Sequence, residues 1–167
     1  TQCHRAEEYD TYDHHFHKYK GEEGAPVIDK FGKKIEVGEG ALCKTCHMPG
    51  RYYMGVDFRR DHSFRIPRPD LTIELKVPNA CNDCHADKSA EWSLQYITKY
   101  YGENKKKHYA QVFADAVNIK DGADTSLIKI IENDLYPEII RAAAVNYLGG
   151  YSNEKAYNKI KTALNDV

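Results

Sequence analysis

The chain has 167 residues, room for one or two small domains, and a formal net charge of −1 with 29% charged side chains. That balance excludes a globally basic nucleic-acid binder, and no apolar run is long enough to span a bilayer. Aliphatic side chains are sparse before residue 88; thirteen tyrosines partly compensate, but a core this thin needs a staple.

In chain order, Cys3-His4 opens a polar segment that ends in His14-His15-Phe16-His17. Residues 20–40 are rich in glycine and charge, with Pro26, and predict a long surface loop in which Val27, Ile28, Ile35 and Val37 form a small hairpin. Cys43-Lys44-Thr45-Cys46-His47 follows, then the turn signal Pro49-Gly50. Pro67, Pro69 and Pro78 argue against long helices, so residues 51–80 are expected to be irregular. Arg59, Arg60, Arg65 and Arg68 crowd around His62 there, and Cys81-Asn82-Asp83-Cys84-His85 then repeats the earlier pattern.

From about Ser89 the periodicity becomes helical. Leu94, Ile97 and Tyr101 predict one helix, stopped at Gly102. Tyr109, Val112, Phe113, Ala116 and Val117 mark a second, and Leu127, Ile128 and Ile131 a third. A fourth, begun by Pro137 and ended by Gly149-Gly150, carries Ile139, Ile140, Ala143, Ala144, Tyr147 and Leu148. Ala156, Ile160, Ala163 and Leu164 define a fifth. Asn133-Asp134 recurs as Asn165-Asp166 at the spacing of helix-pair repeats (about 30–47 residues), which predicts an α-solenoid.

Two cysteines three positions apart with histidine next form the attachment pattern for c-type haem. The thiols add across the porphyrin vinyl groups as two thioethers, and the following imidazole becomes the proximal iron ligand. A Cys₄ zinc site is the alternative for paired CxxC motifs, but the histidine after each pair favours haem. Cys3-His4 reads as the end of a third motif, whose first cysteine would precede Thr1. The expectation is therefore three haems c, with Cys3, Cys43, Cys46, Cys81 and Cys84 as attachment points and His4, His47 and His85 as proximal ligands.

Distal ligands must come from the remaining histidines, and bis-histidine ligation keeps the potential low. Two of His14, His15 and His17 are expected to bind iron, the third to hydrogen-bond or face solvent. His62 is a further ligand, because a protonated histidine among four arginines is disfavoured by like charge. Those arginines suit haem propionates, since a guanidinium fork matches a carboxylate. His108, after three lysines, is assigned to the surface, and Met54 to packing.

Tyr9-Asp10-Thr11, the histidine cluster, Cys43 to Pro49, Tyr53 to Asp57, Arg59 to Asp70, Pro78 to His85, Asp87-Lys88-Ser89 and Trp92 together resemble a family of bacterial multihaem c-type cytochromes with helical repeats after the haem region. The resemblance covers residues 3 to about 101 and continues weakly at His108-Tyr109 and Arg141-Ala142. It implies export, hence a periplasmic or extracellular location, and electron transfer between close-packed haems. The fold expected is mainly α with much irregular structure: a multihaem cytochrome c region over 1–88 and a HEAT-like solenoid over 89–167.

Electron transfer is the leading function, with redox proteins or neighbouring haem subunits as partners and an oligomer or filament as an assembly option. A haem enzyme acting on small nitrogen or sulfur compounds would need an open iron position, which the surplus of histidines opposes. A scaffold whose haems are purely structural is the third reading. The half motif at Cys3-His4 and the apolar face of the last helix predict a piece of a longer chain, with a cysteine before Thr1 and more helix after Val167.

Overall fold

The computed structural model describes residues 5–103 and 106–164. These residues are mainly helical, with ten helices and two two-stranded sheets among them. The chain divides into two compact units, 1–103 and 104–167.

The first unit begins with two one-turn helices, α1 (Ala6–Tyr9) and α2 (Tyr12–His15). Phe16 ends α2 in the left-handed region, at φ 41°. Strands β1 (Val27–Ile28) and β2 (Lys34–Ile35) pair antiparallel with Val27 opposite Ile35, as the hairpin reading expects. The first cysteine motif forms α3 (Cys43–His47). A second hairpin follows, β3 (Gly50–Tyr53) with β4 (Asp57–Arg60), in register Tyr52 opposite Phe58. Then come α4 (Pro69–Leu75), the second motif in α5 (Ala80–Cys84), and α6 (Ala90–Tyr101).

Residues 51–80 are thus more ordered than expected. Pro69 sits in the first turn of α4, where its missing N–H leaves no bond unmade, so it starts a short helix, while no long helix forms over 51–80. Tyr52 and Phe58 pack ring to ring across the hairpin at 5.3 Å. Met54 is at the hairpin's turn with φ 51°, 84% exposed, so the packing role expected of it is absent.

The unit boundary lies beyond the expected one at 88/89, because α6 packs against α4 and α5 of the first unit. That unit's core is thin: Ala41, Leu71, Ala80 and Ile97, with Pro69, are its buried apolar residues among those described. A polar knot substitutes for part of it. Buried Asn79 caps α5 by accepting from Asn82 N–H (3.1 Å), and its amide donates to Thr72 Oγ1 and Asn82 Oδ1, both at 2.8 Å. Ser93, 1% exposed, donates from Oγ to Asn82 Oδ1 (3.1 Å), which ties α6 to the same motif. Asn79→Ala removes the cap and takes a donor from half-buried Thr72 Oγ1 and Asn82 Oδ1, so it should cost about 1–2 kcal/mol. Urea denaturation checks this, and a midpoint unchanged from wild type contradicts it.

The second unit holds α7 (Tyr109–Val117), α8 (Ala123–Ile131), α9 (Glu138–Leu148) and α10 (Glu154–Ala163). Helix α8 packs against the other three, and Leu127, Ala144, Leu148 and Ala156 are fully buried between them. The two alanines let the helix backbones approach closely. Asn153 caps α10 by accepting from Ala156 N–H at 2.8 Å. The four helices expected here all form, but Val117, Ile139 and Leu164 do not join the core; they are 64%, 75% and 75% exposed. In α9 the buried stripe runs through Ile140, Ala144 and Leu148, which leaves Ile139 on the flank. Asn165-Asp166 falls outside the described residues.

Candidate functional site

The second cysteine motif opens onto a cavity of about 410 Å³ in the first unit. Cys81, Cys84 and His85 line it from α5, and His17 lines it from the segment after α2. Trp92, Tyr96, Ile97 and Tyr100 on α6 provide one apolar wall. Val27, Ile35 and Val37 provide another, so residues 20–40, mostly exposed as the surface-loop reading expects, also supply part of a cavity wall. The hairpin is held there by Lys30, whose backbone N–H donates to Asp83 O (3.0 Å) and whose Nζ donates to Asp83 Oδ1 (2.5 Å). Cys46 of the first motif lines the same cavity.

Phe16 decides where the histidine cluster points. A continuing helix would put His14 and His17 on one face. The left-handed turn at Phe16 separates them, and the Phe16 ring stacks on Tyr100 at 4.0 Å. The Tyr101 hydroxyl donates to the His14 carbonyl, fixing the end of α2 to α6. As a result His14 lies against His47, with ring centres 6.0 Å apart, and His17 against His85, at 6.2 Å. Gly40 allows the second approach, since a Cβ there would stand 2.5 Å from His17 Cδ2.

These spacings have a chemical meaning. An imidazole nitrogen binds a transition metal at about 2.0–2.1 Å, so two imidazoles on opposite sides of one ion have ring centres roughly 6 Å apart. Hydrogen bonds also select the nitrogen. His47 donates from Nδ1 to Arg65 O (2.8 Å) and His17 from Nδ1 to His15 O (2.5 Å). Each therefore leaves Nε2 as the nitrogen that could ligate a metal, the outer-shell arrangement typical of metal-bound histidine. Burial, then the nearby His17, pushes His85 below the ordinary histidine value, which keeps the neutral ligating form.

Burial likewise pushes the Cys46 thiol up to about 12, with Cys81 and Cys84 adding to the effect, and Cys81 up to about 11. Such surroundings suit a neutral thioether better than a thiolate. Among the described residues no group of three or more His, Cys, Asp or Glu is arranged to hold a metal ion. A haem iron needs no such group, because it takes only axial ligands from the protein.

His15 is the buried member of the cluster. Its Nδ1 accepts from His17 N–H at 3.2 Å, and its Nε2 has no hydrogen-bond partner among the described residues. Asp10 Oδ1 stands 3.7 Å from that nitrogen. His62 is exposed, with Nδ1 donating to Arg60 O at 2.9 Å, and it meets no other histidine ring among the described residues. Cys3 and His4 lie outside the described residues.

Each arginine near His62 engages the chain itself. Arg59 pairs with Asp57 (2.7 Å) over the Tyr53 ring, and Arg65 with Asp61 (2.6 Å). Arg68 grips both oxygens of Asp70, the closest contact being 2.7 Å. Arg60 Nη1 donates to the Lys44 and Met48 carbonyls, at 3.1 and 3.0 Å. His108, in the second unit, caps α7: its Nδ1 accepts from Ala110 N–H (3.1 Å), while Gln111 Oε1 accepts from His108 N–H (3.0 Å).

Sequence reasoning missed Phe64, whose ring lies on His47 with centres 4.8 Å apart and planes 3° from parallel. It also missed the parts played by Tyr100, Tyr101 and Gly40. The i, i+4, i+8 spacing of Trp92, Tyr96 and Tyr100 was the available signal for an aromatic wall. No helix among the described residues is long and apolar enough to cross a membrane. No family model, curated protein or solved structure matches the chain.

Proposed function

We propose that the protein transfers electrons through covalently attached, bis-histidine c-type haems. The observation that carries this reading is the pairing of each motif histidine with a second imidazole at the span of one metal ion: His47 with His14, and His85 with His17. Cys43 and Cys46 would hold one haem and Cys81 and Cys84 another, and Cys3-His4 would belong to a third. His15, with a buried Nε2 lacking a partner, and His62, presenting its Nε2, are the ligands available to that third iron. Bound haem supplies a one-electron ferric/ferrous couple.

The chain's own residues bind, orient and shield. His17 and His47 are aimed by their Nδ1 bonds to backbone carbonyls, and the α6 aromatics with the β1–β2 hairpin wall the cavity beside His85. The first unit's buried apolar set is thin, and bound porphyrins would add apolar surface to it. Two imidazoles per iron leave no open position, which favours electron transfer over catalysis on a small molecule. Attachment outside the cytoplasm, a periplasmic or extracellular location, and redox partner proteins belong to the same proposal.

Intact mass of the holoprotein together with its pyridine haemochrome spectrum tests it. Three haems, all low-spin, are expected. A count of one or none, or metal bound as Cys₄ zinc, overturns the reading.

A further inference from the structure

The segment Asp61–Arg65 wraps the first-motif histidine more closely than attachment of a cofactor requires. Arg65 N–H donates to the His47 carbonyl (2.8 Å), and His47 Nδ1 donates back to the Arg65 carbonyl (2.8 Å), so the two residues exchange hydrogen bonds through backbone and ring. Phe64, next to Arg65 in the chain, lays its ring parallel to the imidazole at 4.8 Å. Phe64 has φ 47°, a left-handed conformation that a phenylalanine keeps only when neighbours over-determine it.

Asp61 does this. Its Oδ1 accepts from Ser63 N–H (2.9 Å) and from the Ser63 hydroxyl, its Oδ2 accepts from Arg65 Nε (2.6 Å), and its own N–H donates to Pro49 O (3.0 Å). The loop is thus pinned at both ends beside α3, and it reaches His47 through a main-chain carbonyl and a stacked ring.

We propose that Asp61–Arg65 is a clasp that sets the plane and basicity of the His47 imidazole, with Phe64 and Asp61 as positioning residues that tune the potential of the iron His47 holds; this rests on the haem reading above. The physical basis is the outer-shell rule: a carbonyl accepting Nδ1–H makes the imidazole a stronger donor and fixes its rotation. Because the acceptor is backbone, control runs through the loop's shape, which the Asp61 bonds to Ser63 and Arg65 hold. Parallel stacking of Phe64 blocks rotation of the ring about its ligand bond.

The test uses the holoprotein with Phe64→Leu, Phe64→Tyr and Asp61→Ala. Peptide mass mapping reads whether the Cys43–His47 peptide carries haem, paramagnetic resonance reads the ferric low-spin g-values, and potentiometry reads the midpoints. Phe64→Leu should shift one set of g-values and leave the haem count unchanged, while Phe64→Tyr, which keeps the ring, restores the wild-type signal. Asp61→Ala should move one midpoint in the positive direction as the Nδ1 bond loosens. A haem-bearing peptide with g-values and midpoints unchanged in both Phe64→Leu and Asp61→Ala overturns the clasp alone. A haem-free Cys43–His47 peptide in the wild type overturns the haem reading and the clasp with it.

Discussion

If the proposed haems are bound, replacing His17 with alanine is expected to convert one of them from low-spin to high-spin and let it bind cyanide, with its midpoint rising as an imidazole ligand is lost. The expectation follows from position. His17 is the ring across the cavity from His85, aimed by its bond to the His15 carbonyl. Replacing His14 should do the same to the other haem, the one held by His47. Gly40→Ala gives an independent handle, because its methyl group would enter the space of the His17 ring without removing it. A partial spin-state change is expected there. Optical and paramagnetic resonance spectra of the three variants provide the check. If His17→Ala keeps every haem low-spin and cyanide-inert, the pairing with His85 is wrong.

Leu148→Ala should strongly destabilise the second unit. Leu148 and Leu127 are fully buried where α8, α9 and α10 meet. Truncating a buried leucine costs about 2–5 kcal/mol, a large share of the roughly 5–15 kcal/mol that holds a small domain together. Ile139→Ala, at a position 75% exposed on the same helix, should stay within about 0.5 kcal/mol of wild type. Helical ellipticity followed through a urea titration of the full chain separates the two. Equal midpoint shifts would show that the buried stripe has been drawn on the wrong face.

The five C-terminal helices were legible in the sequence because their signals are local. Ser89 and Asn153 cap, Gly102 stops, and apolar residues three and four apart mark the faces. Burial along those faces was less legible. Periodicity gives an arc, and the neighbouring helices decide which part of it is covered, so Ile140 packs while Ile139 does not. The region 51–80 was misread for a related reason: proline restricts a helix interior but suits a first turn, and only the pairing of β3 with β4 gives their residues a strand conformation.

At the candidate site, the sequence by itself determined the local arrangement of the cysteine motifs. The two CxxCH motifs place thiols and imidazole within five consecutive residues, so that geometry is set by local helix α3 or α5. It also supplied spare histidines without saying where they go. That was a tertiary decision. A left-handed turn at Phe16, the Tyr101 hydroxyl on the His14 carbonyl and the gap left by Gly40 send His14 to His47 and His17 to His85, across contacts far apart in sequence. Arg59, Arg60, Arg65 and Arg68, expected to suit haem propionates, each engage a carboxylate or carbonyl of their own chain. Local chemistry can be read residue by residue, but a ligand's partner depends on loop closure, and loop closure is settled by the summed packing of segments that the linear order keeps apart.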